Sequence, residues 1–255
     1  MRRAGTTAAA AAALAVMVPA MAPPGGAWAA PEPGELELHS GARVGVLNLL
    51  DAEVTHFHAS RKVQDSFLKT YTVNWPVHAM LMESVTGLLT QMGFAPVATA
   101  ATEALRRARE GCILNATLSK GFPKECGPLF AQVAAAEHLD ALIVLAPGLN
   151  DSAHAGGTRR RDLPQYLRGW CVLSEGGVPD LLNLTELLLI APSAADAQIA
   201  VRQWGGDQKQ AWNGFTPPAD LKEIPTAQLT QLQPLFAAML KAQAGALLAH
   251  LPAAH

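Results

Sequence analysis

The sequence contains few charged residues, few aromatic side chains and few cysteines, and each of these features bears on the class of protein that it can encode. Only 16% of its 255 residues are charged and half are hydrophobic, so a sizeable core is expected and wholesale disorder is not. No basic cluster is interleaved with aromatics, which argues against a nucleic-acid partner. There is no P-loop and no Gly-x-Gly-x-x-Gly motif, so nucleotide binding lacks support and we expect no cofactor.

The chain also lacks an apolar run long enough to span a bilayer, and residues 1–29 instead have the marks of a secretory signal peptide. Arg2 and Arg3 form a positive region, residues 8–18 form an apolar region, and residues 27–29 fit the small-x-small cleavage rule. An apolar run of about 11 residues is too short for a membrane anchor, since a helix needs about 20 to cross the hydrocarbon. We therefore predict cleavage after residue 29.

A short segment rich in Pro and Glu follows the predicted cleavage site. Residues 30–40 are interpreted as a linker, and residues 41–255 as a single α/β domain, because they show no repeat and no credible internal boundary. Secretion predicts a periplasmic or secreted bacterial protein, with no membrane span after the signal peptide is removed.

Short apolar runs bounded by turn signals predict the strands. The first, residues 44–50, organises the chain because it separates the leader from everything with the pattern of a folded domain. The other strand-like runs are residues 54–58, 69–73, 94–98, 140–146, 169–174, 181–191 and 199–204. Turn residues separate the last three runs, which predicts an antiparallel meander.

Apolar residues at a spacing of 3.6 predict the helices. One begins at Pro76 and is stopped by Gly93, a short basic helix covers residues 102–109, and two more cover residues 128–139 and 230–251. The sum is an α/β fold with an α+β tendency. It has a mixed sheet with packed helices, antiparallel carboxy-terminal strands and a final helix.

The three cysteines all follow the signal peptide, and secretion would place them where disulfides form. Cys112 and Cys126 flank a segment with loop composition, and a bond between them would stabilise the fold by roughly 3 kcal/mol. That pairing leaves Cys171, in an apolar strand, as a buried free thiol. Three buried free cysteines are the alternative.

Three pieces of the chain resemble a known domain. They are Arg-Val-Gly-Val-Leu at 43–47, Gln-Met-Gly-Phe at 91–94 and Leu-Asp-Ala-Leu-Ile-Val at 139–144. Over residues 43–146 the layout resembles the α/β amino-terminal domain of TolB and the related domain of the curli secretion channel, and the chain resembles uncharacterised secreted proteobacterial proteins. The resemblance implies an envelope-associated domain without known catalysis. No β-propeller repeat follows, so the function of TolB itself is not implied.

Two histidines on one strand form the first candidate site. His56 and His58 alternate with Thr55 and Phe57, so their imidazoles share one face, about 7 Å apart. Such a pair can bind Zn²⁺ or Cu²⁺ when further ligands come from elsewhere. No third ligand stands at a recognisable spacing, so we favour the alternative of two polar-face histidines on a half-exposed strand.

A hydrolase would need a nucleophile on a tight turn with a base in reach, and the chain has no Gly-x-Ser-x-Gly motif. The nearest suggestions are Ser174, which precedes Glu-Gly-Gly, and Ser152, which lies beside Asp151 and His154. A triad is usually assembled from distant segments, so we interpret the second cluster as loop composition.

The polar loop after the strand at 140–146 is the best candidate for a ligand site, because ligands of open α/β sheets bind beyond the carboxyl ends of strands. Its glycines allow close approach of a backbone, and its arginines can grip a carboxylate or a phosphate with two hydrogen bonds. The side chains expected to bind are Asn150, Asp151, His154, Arg159, Arg160 and Arg161. A solvated loop without a ligand is the alternative.

These observations favour a non-enzymatic envelope protein that binds or assembles with a partner, either an envelope protein or a small anionic ligand. The alternative is a small periplasmic hydrolase or a metal-dependent enzyme, since the histidine pair and the serines leave catalysis open. No nucleic-acid partner is expected, and no membrane span is expected after the signal peptide is removed.

Overall fold

A computed structural model describes residues 36–116, 122–148, 167–205 and 209–251. Within these ranges nine strands form one sheet, and the predicted mixed sheet is confirmed. The strands are β1 (Arg43–Asn48), β2 (Glu53–His58), β3 (Phe67–Thr72), β4 (Ala95–Thr99), β5 (Ala141–Pro147), β6 (Gly169–Ser174), β7 (Asp180–Pro192), β8 (Ala197–Trp204) and β9 (Lys209–Ala211).

Five helices and one 3₁₀ turn accompany the sheet in the same ranges. The helices are α1 (Val77–Gln91), α2 (Glu103–Ala116), α3 (Gly127–Glu137), α4 (Thr226–Thr230) and α5 (Gln233–Leu248), and the turn is Val63–Asp65. The α/β class and the final helix are therefore confirmed. None of the helices described is long and apolar enough to cross a membrane.

Strand β7 joins the whole sheet. Residues 180–184 of β7 pair with β6 on one edge, and residues 180–182 pair with β9 on the other. Further along, residues 185–190 pair with β5 and residues 186–192 pair with β8. All of these pairings are antiparallel, so the predicted antiparallel arrangement of β6, β7 and β8 is confirmed. Strands β5 and β6 run in the same direction along one edge of β7. The chain leaves this edge at Pro147, where β5 ends, and returns to it at Gly169, where β6 begins.

The other strands extend the two halves of β7 sideways. We call β4-β1-β5 with the second part of β7 and β8 the first half-sheet, and β3-β2-β6 with the first part of β7 and β9 the second half-sheet. Strand β1 is parallel to β4 and β5, and β2 is parallel to β6 and antiparallel to β3. The seam between the halves is marked on β7 by the carbonyls of Leu184 and Thr185, which accept bonds from the N–H groups of Gly148 and Gly205.

Helices cover both faces of β7, which explains why this strand is an almost continuous run of leucines. Leu181, Leu187 and Leu189 share a core with α1 and α5. The alternate residues Leu188 and Ile190 pack instead among buried side chains of α2 and α3. A strand buried on both faces does not show the apolar–polar alternation of a half-exposed strand. The sequence therefore does not reveal which of its residues face which core.

The predicted ends of α1 are confirmed. Pro76 precedes the first turn, and Gly93 follows the last with a φ of +86°, a left-handed conformation that glycine adopts without a steric penalty. The N–H of Phe94 bonds to the carbonyl of Leu89, and that of Gly93 to Thr90, which is the Schellman pattern.

One prediction about the helices is wrong. The basic helix does not end at residue 109, and Cys112 lies within α2 rather than in a loop, because Leu105, Cys112 and Ile113 are all buried and their packing outweighs the cost of Gly111. The final helix α5 is three residues shorter at each end than the predicted 230–251, with Pro234 in its first turn as expected, and the short helix α4 precedes it.

The disulfide prediction is confirmed. Cys112 and Cys126 are bonded, with their Cα atoms 5.5 Å apart, so the bond ties α2 to the residue that precedes α3. Cys171 is a buried free thiol, and burial raises its pKa to about 12. A thiol with such a pKa stays protonated at neutral pH and is a poor nucleophile.

A buried polar network attaches α5 to the seam. The amide nitrogen of Gln243 donates to the carbonyls of Thr185 (3.1 Å) and Gln203 (2.8 Å). Its amide oxygen accepts from the Asn183 amide nitrogen at 3.1 Å and lies 3.0 Å from the Thr185 hydroxyl. All of Asn183, Thr185 and Gln243 are fully buried, so each polar atom depends on these partners rather than on water.

We expect Gln243→Met to lower the free energy of unfolding by about 3 kcal/mol, because it keeps the volume but leaves buried groups of Asn183 and Thr185 with fewer partners. Urea unfolding followed by circular dichroism measures the change. Gln91→Met, at an exposed position of α1, is the matched control and should change stability by less than about 0.5 kcal/mol. Equal effects of the two variants would show that the network contributes nothing.

Candidate functional site

The candidate site lies at one end of the second half-sheet, where β2 lies between β3 and β6. Pairing places His58 opposite Phe67 on β3 and opposite Ser174 on β6. His56 lies two residues earlier and therefore points to the same face. The sequence correctly predicts that the two imidazoles share a face.

Ser174 connects the two histidines. Its hydroxyl oxygen lies 2.8 Å from His56 Nε2 and 2.8 Å from His58 Nδ1. The sequence offers the histidine pair as candidate metal ligands and Ser174 as a candidate nucleophile by separate arguments. The parallel pairing of β2 with β6 brings them into one cluster, which we call the His–Ser–His cluster.

An aromatic ring covers the cluster. Phe67 stacks on His58 with ring centroids 5.2 Å apart and meets His56 edge-on at 5.1 Å. Lys222 lies over the Phe67 ring, with Nζ 5.6 Å from its centroid, and Lys69 forms an ion pair with Glu223 at 2.7 Å. The segment before α4 therefore packs against the β2–β3 hairpin over this site.

Burial controls the charge of His56. The side chain is fully buried, and this desolvation, with a smaller contribution from the charge of His58, lowers the pKa of His56 to about 4. Its Nδ1 is buried and has no hydrogen-bond partner among the described residues. The interpretation of His56 as a half-exposed surface residue is therefore wrong, because the hairpin and its covering segment enclose that face.

A bend in the chain follows the cluster. Ser174 ends β6, its carbonyl accepts from the N–H of Ala59 at 2.9 Å, and Gly176 has a φ of +88°. Within the described part of the chain, the N–H groups of residues 175–177 donate to no other group. The bend thus presents donors immediately after a serine that contacts two imidazoles.

The predicted metal site has two nitrogen donors in one place. In the part of the chain that the structure describes, no group of three His, Cys, Asp or Glu side chains could hold an ion. His56 Nε2 and His58 Nδ1 both face the Ser174 oxygen, so an ion on both nitrogens would have to displace that hydroxyl. Binding of Zn²⁺ or Cu²⁺ by this pair stays a prediction.

The predicted ligand loop leaves the sheet at the seam. Its expected binding residues, Asn150, Asp151, His154, Arg159, Arg160 and Arg161, lie outside the described residues. The loop begins at Gly148, where a Cβ atom would approach the Glu186 side chain to 2.9 Å. A larger residue there would have to move this carboxyl group.

Glu186 is a buried acid that the sequence does not reveal, because it looks like one polar residue in a run of leucines. Its side chain is enclosed, and burial raises its pKa to about 7, although the nearby charge of Arg202 acts in the opposite direction. The Arg202 Nε lies 3.6 Å from Glu186 Oε2. The seam therefore holds an acid that exchanges its proton close to neutral pH.

Comparison with known proteins adds no functional assignment. No family model matches the chain. No curated protein matches it either. Among solved structures, the chain is similar to the 1.65 Å structure of the hypothetical protein CT253 from Chlamydia trachomatis, with 10% sequence identity, a TM-score of 0.34, and coverage of 81% of this chain and 99% of that one. The resemblance of residues 43–146 to the TolB and curli domains stays a prediction.

We expect the stability of the fold to depend on pH through two buried groups, His56 and Glu186, whose pKa values shift in opposite directions on folding. The pKa of His56 falls from 6.5 to about 4 on folding, so the folded state loses stability as the pH falls from 6.5 to about 4. The pKa of Glu186 rises from 4.5 to about 7 on folding, so the folded state loses stability as the pH rises from 4.5 to about 7. Each effect amounts to at most about 3 kcal/mol, and the two oppose each other where these pH ranges overlap.

Urea unfolding between pH 4 and 8 separates the two contributions. His56→Gln should remove the loss of stability on the acid side, and Glu186→Gln should remove the loss as the pH approaches 7. His250→Gln, an exposed histidine at the carboxy-terminal end, is the control and should leave the pH profile unchanged. Profiles that are parallel in all four proteins would contradict the assignment.

Proposed function

We propose that this protein is a secreted or periplasmic envelope protein of a bacterium, which works by binding a partner or by assembly. The Cys112–Cys126 disulfide is the main observation in support of a location outside the cytoplasm, because such bonds persist in oxidising surroundings. The signal-peptide pattern of residues 1–29 supports the same location. The mature chain is then a linker over residues 30–40 and a single domain over 41–255.

The seam supports binding as the role of this domain. Both core faces of β7 are covered, whereas the polar loop with the predicted ligands leaves the sheet beside Glu186 and Arg202. A loop at a strand end, held on a rigid sheet, is a common place for recognition. Its arginines favour a small anionic ligand or an acidic surface of another envelope protein, and the resemblance to the TolB domain favours a role without catalysis.

A small hydrolase or metal-dependent enzyme is the second candidate function. It is favoured by one observation, the contact of the Ser174 hydroxyl with two imidazole nitrogens at 2.8 Å. Nucleophile and base within hydrogen-bond reach are what covalent catalysis needs.

The proposed compartment predicts a processed, oxidised protein. When the full chain is expressed in a Gram-negative host, the periplasmic fraction should contain a chain that begins at Ala30, with Cys112 bonded to Cys126. Intact mass and non-reducing peptide mapping measure both. After denaturation without reductant, Cys171 alone should react with an alkylating agent.

A chain that starts at residue 30 without a leader is the matched control, and in a reducing cytoplasm it should yield three reactive thiols. Recovery of the full chain in the cytoplasm with its first residue still Met1, or a periplasmic chain with three reactive thiols, would contradict the proposal.

A further inference from the structure

We propose that Ser174 is a nucleophilic serine, with His58 as its general base and His56 as a positioning residue, and that it takes an acyl group from a small carboxylic ester. This inference rests on the second candidate function, the hydrolase. The binding role of the seam does not depend on it, because the cluster and the seam use different residues.

The hydrogen bonds of the cluster can be assigned by counting protons. The Ser174 hydroxyl has one proton and lies within bonding distance of two ring nitrogens, so it donates to one and accepts an N–H from the other. The lowered pKa of His56 keeps that ring neutral and makes it a weak base. His56 Nε2–H therefore donates to the Ser174 oxygen, and the hydroxyl donates to His58 Nδ1.

His58 suits the role of base because of its position. It is half-buried, so the imidazolium that forms on proton transfer keeps contact with water, whereas an imidazolium at His56 would be enclosed. The stacked Phe67 ring holds the His58 imidazole in place against the hydroxyl. The N–H from His56 orients the oxygen and stabilises the charge that develops on it.

Under this proposal, the backbone N–H groups that follow Ser174 bind the oxyanion of the acyl transfer. Attack on a carbonyl carbon moves charge to the carbonyl oxygen, and backbone N–H groups near the nucleophile stabilise that charge. The N–H groups of residues 175–177 donate to no other group in the described ranges. Ser174 is only 4% exposed at the end of β6, so the group that reaches it must be small.

The chemistry balances without a metal or cofactor. The serine oxygen forms a bond to the carbonyl carbon while its proton passes to His58 Nδ1, and the carbonyl π electrons move to oxygen. Collapse of this intermediate breaks the ester C–O bond, and the leaving alkoxide takes the proton from His58. A water then attacks the acyl-serine, with His58 as base, and releases the acid and the free hydroxyl.

The test is labelling of the purified mature protein with a small fluorophosphonate, followed by intact mass and peptide mapping. We expect one adduct, on Ser174, and none on Ser174→Ala. Ser193→Ala, at an exposed turn, is the matched serine control and should label at the wild-type rate. Absence of a Ser174 adduct on the folded wild type would overturn the proposal and leave the binding function untouched.

Three histidine variants separate chemistry from structure. His58→Asn keeps an acceptor near the Nδ1 position but cannot accept the proton, so labelling should slow by about 100-fold or more while the fold is retained. His56→Gln keeps a neutral donor near the Nε2 position and should label faster than His56→Leu, which has none. Wild-type labelling rates in His58→Asn, or equal rates in both His56 variants, would contradict the assigned roles.

Discussion

The pairing of β7 along both edges is the constraint on which the rest of the structure depends. Each half of this strand lies between two neighbours, and its residues from Leu181 to Ile190 are buried. A backbone buried on both faces must satisfy its polar groups within the sheet, since water cannot reach them. We therefore expect the two half-sheets, which share this strand, to fold and unfold together.

Four of the buried polar side chains of the described residues lie where this shared strand changes partners, namely Asn183, Thr185, Glu186 and Gln243. On one face, Gln243 of α5 satisfies Asn183 and Thr185, and on the other Glu186 lies beside Arg202. The chain leaves the sheet at the same place, after Pro147 and again at Gly205. The seam thus combines a rigid sheet, buried ionisable groups and exits for loops, whereas the His–Ser–His cluster lies at the far end of β6.

The local pattern of apolar residues was enough to predict most strands and helices, but not which strands pair with one another. The apolar runs of β1, β5 and β7 are predictable because strands buried on both faces are continuously apolar. The stripe of α1 is predictable because its buried face repeats every 3.6 residues. The meeting of Ser174 with His56 and His58 was not, because it depends on β2 pairing with β6 across more than a hundred residues. The burial of His56 and the raised pKa of Glu186 follow from the same long-range packing.

Native-state hydrogen exchange of β7 tests most directly whether the two half-sheets form one cooperative unit. We expect the amides of residues 181–184 and of residues 187–190 to exchange with one free energy, equal to that of global unfolding, and with the same dependence on urea. Opening free energies that differ by more than about 1 kcal/mol between the two segments would show that the half-sheets open separately, and would contradict the account.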